Sequence, residues 1–127
     1  EVKKGTKTAV FSTGTILNNV IQALHNDENN IAVHHFIQIK PLVELDVVAL
    51  ISDYSTILTI EEGSVAGGFG SVINTIILKH NLKVKVFNLG VPDVFIEHAT
   101  VNEQYIQCGL DVDSLCTLFK DISNAEI

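Results

Sequence analysis

Short apolar, β-branched runs alternate along this chain with stretches of helical spacing, and that alternation carries most of what can be expected of its fold. Thr8–Thr13, Ile31–Ile39, Ile57–Ile60 and Val84–Leu89 are compact runs bounded by glycine, proline or polar clusters, and each predicts a buried strand. Ile16, Val20, Ile21 and Leu24 share one side of a helix predicted over Thr15–Leu24, with Thr13 or Thr15 placed to cap it. Leu45–Ile51 predicts a short second helix. Val72, Ile73, Ile76 and Ile77 put an apolar stripe on a third, from Ser71 to His80. Asp111 opens Asp-Val-Asp-Ser-Leu115 with a carboxylate able to cap, and Leu115, Leu118, Phe119 and Ile122 then make an amphipathic last helix. His25–Asn30 and Gly90-Val-Pro-Asp93 read as turns, Lys40-Pro41 as a strand stop because proline cannot donate to a ladder, and Glu103–Gln107 as one helical turn. Strands and helices alternating at this period predict a three-layer α/β/α domain whose mostly parallel, mixed sheet of about five strands is covered on both faces. No repeat or linker divides it, so residues 1–127 read as a single domain.

Composition narrows the function classes. A chain of 127 residues is long enough for one core, and its formal charge of −7 argues against a nucleic-acid surface. Lys3, Lys4 and Lys7 read as a solvated lead-in. No apolar run approaches the roughly 20 residues of a membrane helix, so no membrane partner and a soluble protein are expected. Cys108 and Cys116 have neither the CxxC redox spacing nor that of a zinc knuckle, which predicts free thiols in a reducing compartment. The chain starts at Glu1 and has no methionine, as expected of a piece of a longer polypeptide or a processed product.

The densest local pattern is Thr59-Ile-Glu-Glu-Gly-Ser-Val-Ala-Gly-Gly-Phe-Gly-Ser71, a strand, a glycine-rich loop and a helix start. Glycine suits such a junction where backbone passes close to backbone or φ is positive, and a helix start offers free N–H groups to an anion. Both phosphate motifs are incomplete here. Gly63 and Gly68 have the P-loop glycine spacing, but Phe69 and Gly70 stand where a lysine and a hydroxyl are needed; Gly68-Phe69-Gly70 begins a dinucleotide fingerprint, but Ile73 replaces its third glycine. The glycines are therefore expected to serve packing.

Among candidate catalytic groups, Glu61 and Glu62 lie at the carboxyl end of a central strand, where open α/β sheets place ligands, and a buried carboxylate there could act as acid or base. Adjacent strand residues point to opposite faces, so the two are not expected to form one pair, and main-chain or cap hydrogen bonds are the competing explanation. His34 and His35 are separated in the same way, with the outward one solvated. His98 lies in a predicted loop, where functional groups concentrate, with a surface or interface hydrogen bond as the plainer role. No nucleophile elbow occurs. No residue of this chain is assigned as catalytic, cofactor-binding or metal-binding.

Thr59–Asn74 followed by Asn88-Leu-Gly-Val-Pro-Asp-Val-Phe-Ile-Glu-His98 and Gly109-Leu-Asp111 resembles the C-terminal domain of the 1-deoxy-D-xylulose-5-phosphate synthases, thiamine-diphosphate enzymes of the transketolase family. The likeness runs from about Lys7 onward. The paired glutamates and following glycines are shared with transketolases and with beta subunits of 2-oxo acid dehydrogenases; the Asn88–Ile96 segment selects the synthase. Where that family often reads Asp-x-Arg-Phe-x-Lys-Pro-Leu-Asp along the second strand, Lys40-Pro41-Leu42 survives, but His35, Ile37, Gln38 and Val43 replace the Asp, Arg, Phe and final Asp. The resemblance implies a transketolase C-terminal-like fold and, for the whole enzyme, decarboxylation of pyruvate and joining of its two-carbon unit to glyceraldehyde 3-phosphate. It implies that thiamine diphosphate and Mg²⁺ are bound by two preceding domains of the same polypeptide, that the enzyme is a homodimer, and that this piece supports fold and dimer without turnover. A plastid-type organelle such as an apicoplast or chloroplast is the implied location in a eukaryote, the cytoplasm in a bacterium. The alternatives are the tail of a 2-oxo acid dehydrogenase beta subunit and an independent module that captures an anion at Gly67–Ser71.

Overall fold

The computed structural model describes residues 1–25, 30–37, 43–64, 68–91, 106 and 108–125. Among these, four parallel strands form one sheet in the order β2-β1-β3-β4, with β1 Thr8–Ser12, β2 Ala32–His35, β3 Thr56–Ser64 and β4 Lys85–Val91. A 3₁₀ turn at Gly14–Ile16 leads into α1 (Leu17–Ala23); α2 is Glu44–Ser52, α3 Phe69–Lys79 and α4 Val112–Ala125. The sheet takes on mixed character at its outer edge, where Lys3 bridges Val33 of β2 in the antiparallel sense.

Strand side chains alternate between faces, and both faces are apolar, so two separate cores form. Val10, Val33, Leu58 and Ile60 pack with Val20 of α1 and with Leu115, Phe119 and Ile122 of α4. Ala9, Phe11, Ala32 and Ile57 pack with Val47 and Ile51 of α2 and with Phe69, Ile73, Ile76 and Ile77 of α3. The three-layer α/β/α reading holds. It follows from helices returning over opposite faces: α1 over one, α3 over the other, so the crevice between the carboxyl ends of β1 and β3 is the switch point where such sheets usually present groups.

Several expected boundaries move. β2 ends at His35, well before Ile39: the Phe36 N–H still reaches Ser12 O at 2.8 Å, but Ile37 is 93% exposed, and residues 38–42, with the Lys40-Pro41 stop, lie outside the described residues. β3 does not stop at its carboxylates but runs on to Ser64, because β4 keeps it paired as far as Val91 through a register shift between Ile60 and Ser64. For the same reason Gly90 and Val91 belong to β4 rather than to a turn. Neither Thr13 nor Thr15 caps α1: Thr13 makes no side-chain cap bond, and Thr15 turns its hydroxyl to Glu62. Asp111 behaves as expected, accepting the Ser114 N–H at 3.2 Å. Cys108 and Cys116 are free and half-buried. Of the expected turn at Glu103–Gln107, only Ile106 is among the described residues.

Candidate functional site

Glu61 is the organising group at the switch point. Its parity on β3 matches Ile57 and Thr59, which turns it under the start of α3, and it is 3% exposed. Oε1 accepts the Phe69 N–H at 3.0 Å and Oε2 the Gly70 N–H at 2.7 Å. The helix start has unpaired N–H groups and a partial positive charge, and a carboxylate eight residues upstream satisfies both at once. Thr13 and Thr15 leave α1 uncapped, whereas α3 is capped from another element. Gly68, immediately before α3, has an extended backbone (φ −91°) and offers no side-chain cap of its own.

Gly70 shows why the loop needs glycine. A Cβ there would stand 2.8 Å from both Thr59 Oγ1 and Asn88 Oδ1, so only a bare backbone lets α3 approach β3 closely enough for Glu61 to reach it. Thr59 in turn donates to Asn88 Oδ1 at 2.6 Å across β3 and β4. Gly68 and Gly70 have no positive φ; among described glycines that conformation occurs at Gly14 and Gly109. The expectation that these glycines serve packing is met at Gly70, by close approach and not by left-handed backbone.

Glu62 faces the other side. It accepts a hydrogen bond from the Thr15 hydroxyl and lies over Gly14, whose φ of +74° bends the chain into the 3₁₀ turn. The two glutamates therefore fasten two different connections, β3 to α3 and β3 to the β1–α1 turn, and do not act on one ligand as a pair. His34 is buried against the Tyr54 hydroxyl, 2.8 Å away. His35, on the opposite side of β2, is half-buried rather than fully solvated, with Nδ1 3.2 Å from Ser12 Oγ. His98 lies outside the described residues, as do residues 65–67 of the glycine loop. Among the described residues, no group of three or more His, Cys, Asp or Glu is arranged to hold a metal ion.

Local sequence does not join Thr15, Thr59, Asn88 and Tyr54 to these groups. A threonine inside an otherwise aliphatic strand was the available sign for Thr59; the others are joined by pairings that sequence distance conceals.

Residues 1–115 match the family described as "Transketolase, C-terminal domain". The chain is 36% identical over 123 residues to the 1-deoxy-D-xylulose-5-phosphate synthase of Pseudoalteromonas translucida (strain TAC 125), covering 97% of this chain and 20% of that protein. It is 35% identical over 123 residues to the enzyme of that name from Parabacteroides distasonis, covering 94% of this chain and 20% of that protein. Thus the chain spans about a fifth of the length of the curated relatives it matches. A solved structure described as a split gene transketolase, inactive beta4 tetramer, superposes with a TM-score of 0.80 over 94% of this chain and 40% of that one, at 23% identity. No helix among the described residues is long and apolar enough to cross a membrane. On the match to residues 1–115, and with a sheet and helix arrangement of the same kind, the chain belongs to the transketolase C-terminal domain family.

Proposed function

We propose that this chain is the C-terminal domain of a 1-deoxy-D-xylulose-5-phosphate synthase, and that within the enzyme it completes the fold and buttresses a dimer while the chemistry occurs in other domains. The observation that carries the reading is the match of 97% of this chain to one fifth of a synthase. In the complete enzyme, thiamine diphosphate with Mg²⁺ would be held by other domains and would supply the chemistry by which pyruvate, with loss of CO₂, is joined to glyceraldehyde 3-phosphate. The described residues at the start of α3 do not fit that cofactor. The two donors Phe69 N–H and Gly70 N–H, which a phosphate would seek, point at Glu61, and a diphosphate brought to them would meet a buried negative charge. The same occupancy speaks against a free anion-capturing module at this loop.

The work of this piece is mechanical. Glu61 and Glu62 clamp the loops at the carboxyl edge of the sheet, so that a neighbouring domain meets a shaped surface. The location proposed is a plastid-type organelle in a eukaryote and the cytoplasm in a bacterium.

Two measurements test the reading. The complete polypeptide containing this domain, supplied with thiamine diphosphate and Mg²⁺, is expected to form 1-deoxy-D-xylulose 5-phosphate from pyruvate and glyceraldehyde 3-phosphate; a folded polypeptide that instead acylates a lipoyl acceptor overturns it in favour of a 2-oxo acid dehydrogenase. Calorimetry on the 127-residue chain is expected to detect no thiamine-diphosphate binding, and a micromolar constant would contradict the division of labour.

A further inference from the structure

The two edges of the sheet are finished differently. Along β2, the Val2 and Lys3 N–H groups reach Val33 O at 2.8 and 3.2 Å, the Val33 N–H returns to Lys3 O at 2.9 Å, and Gly5 lies so close that a Cβ would stand 2.2 Å from Ala32 N and Asn30 O. Donors and acceptors of that edge are covered. At the other edge β4 pairs, among the described residues, with β3 alone. In a parallel ladder alternate residues turn both N–H and C=O to the same neighbour. The Lys85 N–H reaches Ser55 O at 3.0 Å, so Lys85, Phe87 and Leu89 bond inward, while Val86, Asn88 and Gly90 turn their main-chain groups away from β3.

β4 is seven residues long and contains no proline, and its one charge, Lys85, stands at its first position, so nothing within the strand blunts this edge. The register sets Phe87 beside Leu58 and Leu89 beside Ile60, which puts both on the face that α1 and α4 cover. Leu58 is fully buried, whereas Phe87 is 45% exposed: the helical cover over β3 stops short of β4. An uncovered aromatic beside unpaired main-chain groups specifies the occupant, an extended segment that brings an apolar side chain on the same face. β4 itself meets that description. A two-fold axis through Asn88, perpendicular to the sheet, lays two copies antiparallel along the whole strand, with Asn88 opposite its own copy and Val86 opposite the partner's Gly90. These are the outward-turned residues, so they fall together as hydrogen-bonded pairs. Phe87 then lies opposite the partner's Leu89 at the closer, non-hydrogen-bonded position, where side chains pack best. The antiparallel sense also keeps Lys83 and Lys85 at opposite ends of the seam, whereas a parallel addition in register would set like charges side by side.

We propose that the outer edge of β4 is the seam through which this domain meets a second copy of itself, joining the two sheets into one across a two-fold axis at Asn88. The inference rests on the proposed reading of this piece as the support of a dimer and names the surface that does so. Phe87 is the side chain that the seam buries, and the Val86, Asn88 and Gly90 main-chain groups are those that it pairs.

Disulfide trapping and amide hydrogen exchange on the complete polypeptide test this. With Phe87→Cys and Leu89→Cys combined, mild oxidation is expected to give a covalent dimer whose linked peptides join one replaced position to the other across the two chains. Either replacement alone, and the parent with its free Cys108 and Cys116, should give no such link. In the parent, exchange resolved to single amides by fragmentation mass spectrometry should be slow at Val86, Asn88 and Gly90 as well as at Lys85 and Leu89. In Phe87→Lys, which sets a charge against the partner's Leu89, the first three should speed up by about tenfold or more while Lys85 and Leu89 stay slow. Fast exchange of the outward amides in the parent, a link formed by Phe87→Cys alone, or slow exchange with no link, as when a strand from elsewhere in the polypeptide occupies the edge, overturns the proposal. Neither readout depends on turnover. A polypeptide that makes 1-deoxy-D-xylulose 5-phosphate with this edge open refutes the seam and keeps the proposed reaction; one that is linked but acylates a lipoyl acceptor does the reverse.

Discussion

Replacing Glu61 by glutamine isolates the contribution of one charge to the joint between β3 and α3. The substitution keeps the size of the side chain, but one of its two oxygens becomes an NH₂ group, which must face a main-chain N–H at the Phe69 or Gly70 position. One charge-assisted hydrogen bond is lost, at about 1.5–3 kcal/mol, and the remaining one becomes neutral. Loss of the carboxylate beneath the positive end of α3 adds up to about 1–2 kcal/mol in a buried setting. The expected cost is about 3 kcal/mol, a large share of the roughly 5–15 kcal/mol that holds such a domain together. Urea unfolding followed by far-ultraviolet circular dichroism reads it directly, since a slope of about 1.5 kcal/mol/M turns that loss into a midpoint lowered by about 2 M. Glu61→Ala should cost more, because both N–H groups are left unpaired beside a void. Added acetate should restore part of that midpoint where chloride at equal ionic strength does not. A Glu61→Gln midpoint within about 0.3 M of the parent would show that the carboxylate is not what holds α3, and the account of the junction would fall.

Gly70→Ala is expected to cost about 1–3 kcal/mol in the same assay, because its methyl group would meet Thr59 Oγ1 and Asn88 Oδ1 at 2.8 Å; a neutral result would mean that α3 can shift outward freely. Phe119→Ala should lose about 3–5 kcal/mol, since Phe119 is 2% exposed between α4 and the sheet, and a loss under about 1 kcal/mol would detach α4 from the core. Asp111→Ala should lose about 1 kcal/mol near pH 7 by removing the cap on the Ser114 N–H. Hydrogen bonds from Ser114 hold the Asp111 pKa below its ordinary 3.8, so this stability is present above that value and disappears as pH falls through the lowered one. The difference between parent and Asp111→Ala should vanish in strong acid; a difference that persists there would assign the loss to packing instead.

The order of elements and the layering were legible from the chain alone, for a physical reason. An α/β domain with both sheet faces buried must write its strands as continuous apolar runs and its helices as one-sided stripes, and Ile57–Ile60 and Val72–Ile77 do so in plain sight. Opposite orientations of Glu61 and Glu62 also followed from strand geometry alone. What each carboxylate touches did not. Glu61 finds its donors only after β3 has carried it past its expected end and α3 has been laid across it, and Glu62 meets Thr15 only because β1 and β3 are neighbours, although forty-seven residues separate the two in the chain. Strand ends and side-chain partners are set by pairing between distant segments, whose free energy is nowhere encoded in a local run. His34 makes the same point from the opposite direction: local pattern shows a histidine on a strand, and only the fold brings Tyr54 and Glu1 to the same ring.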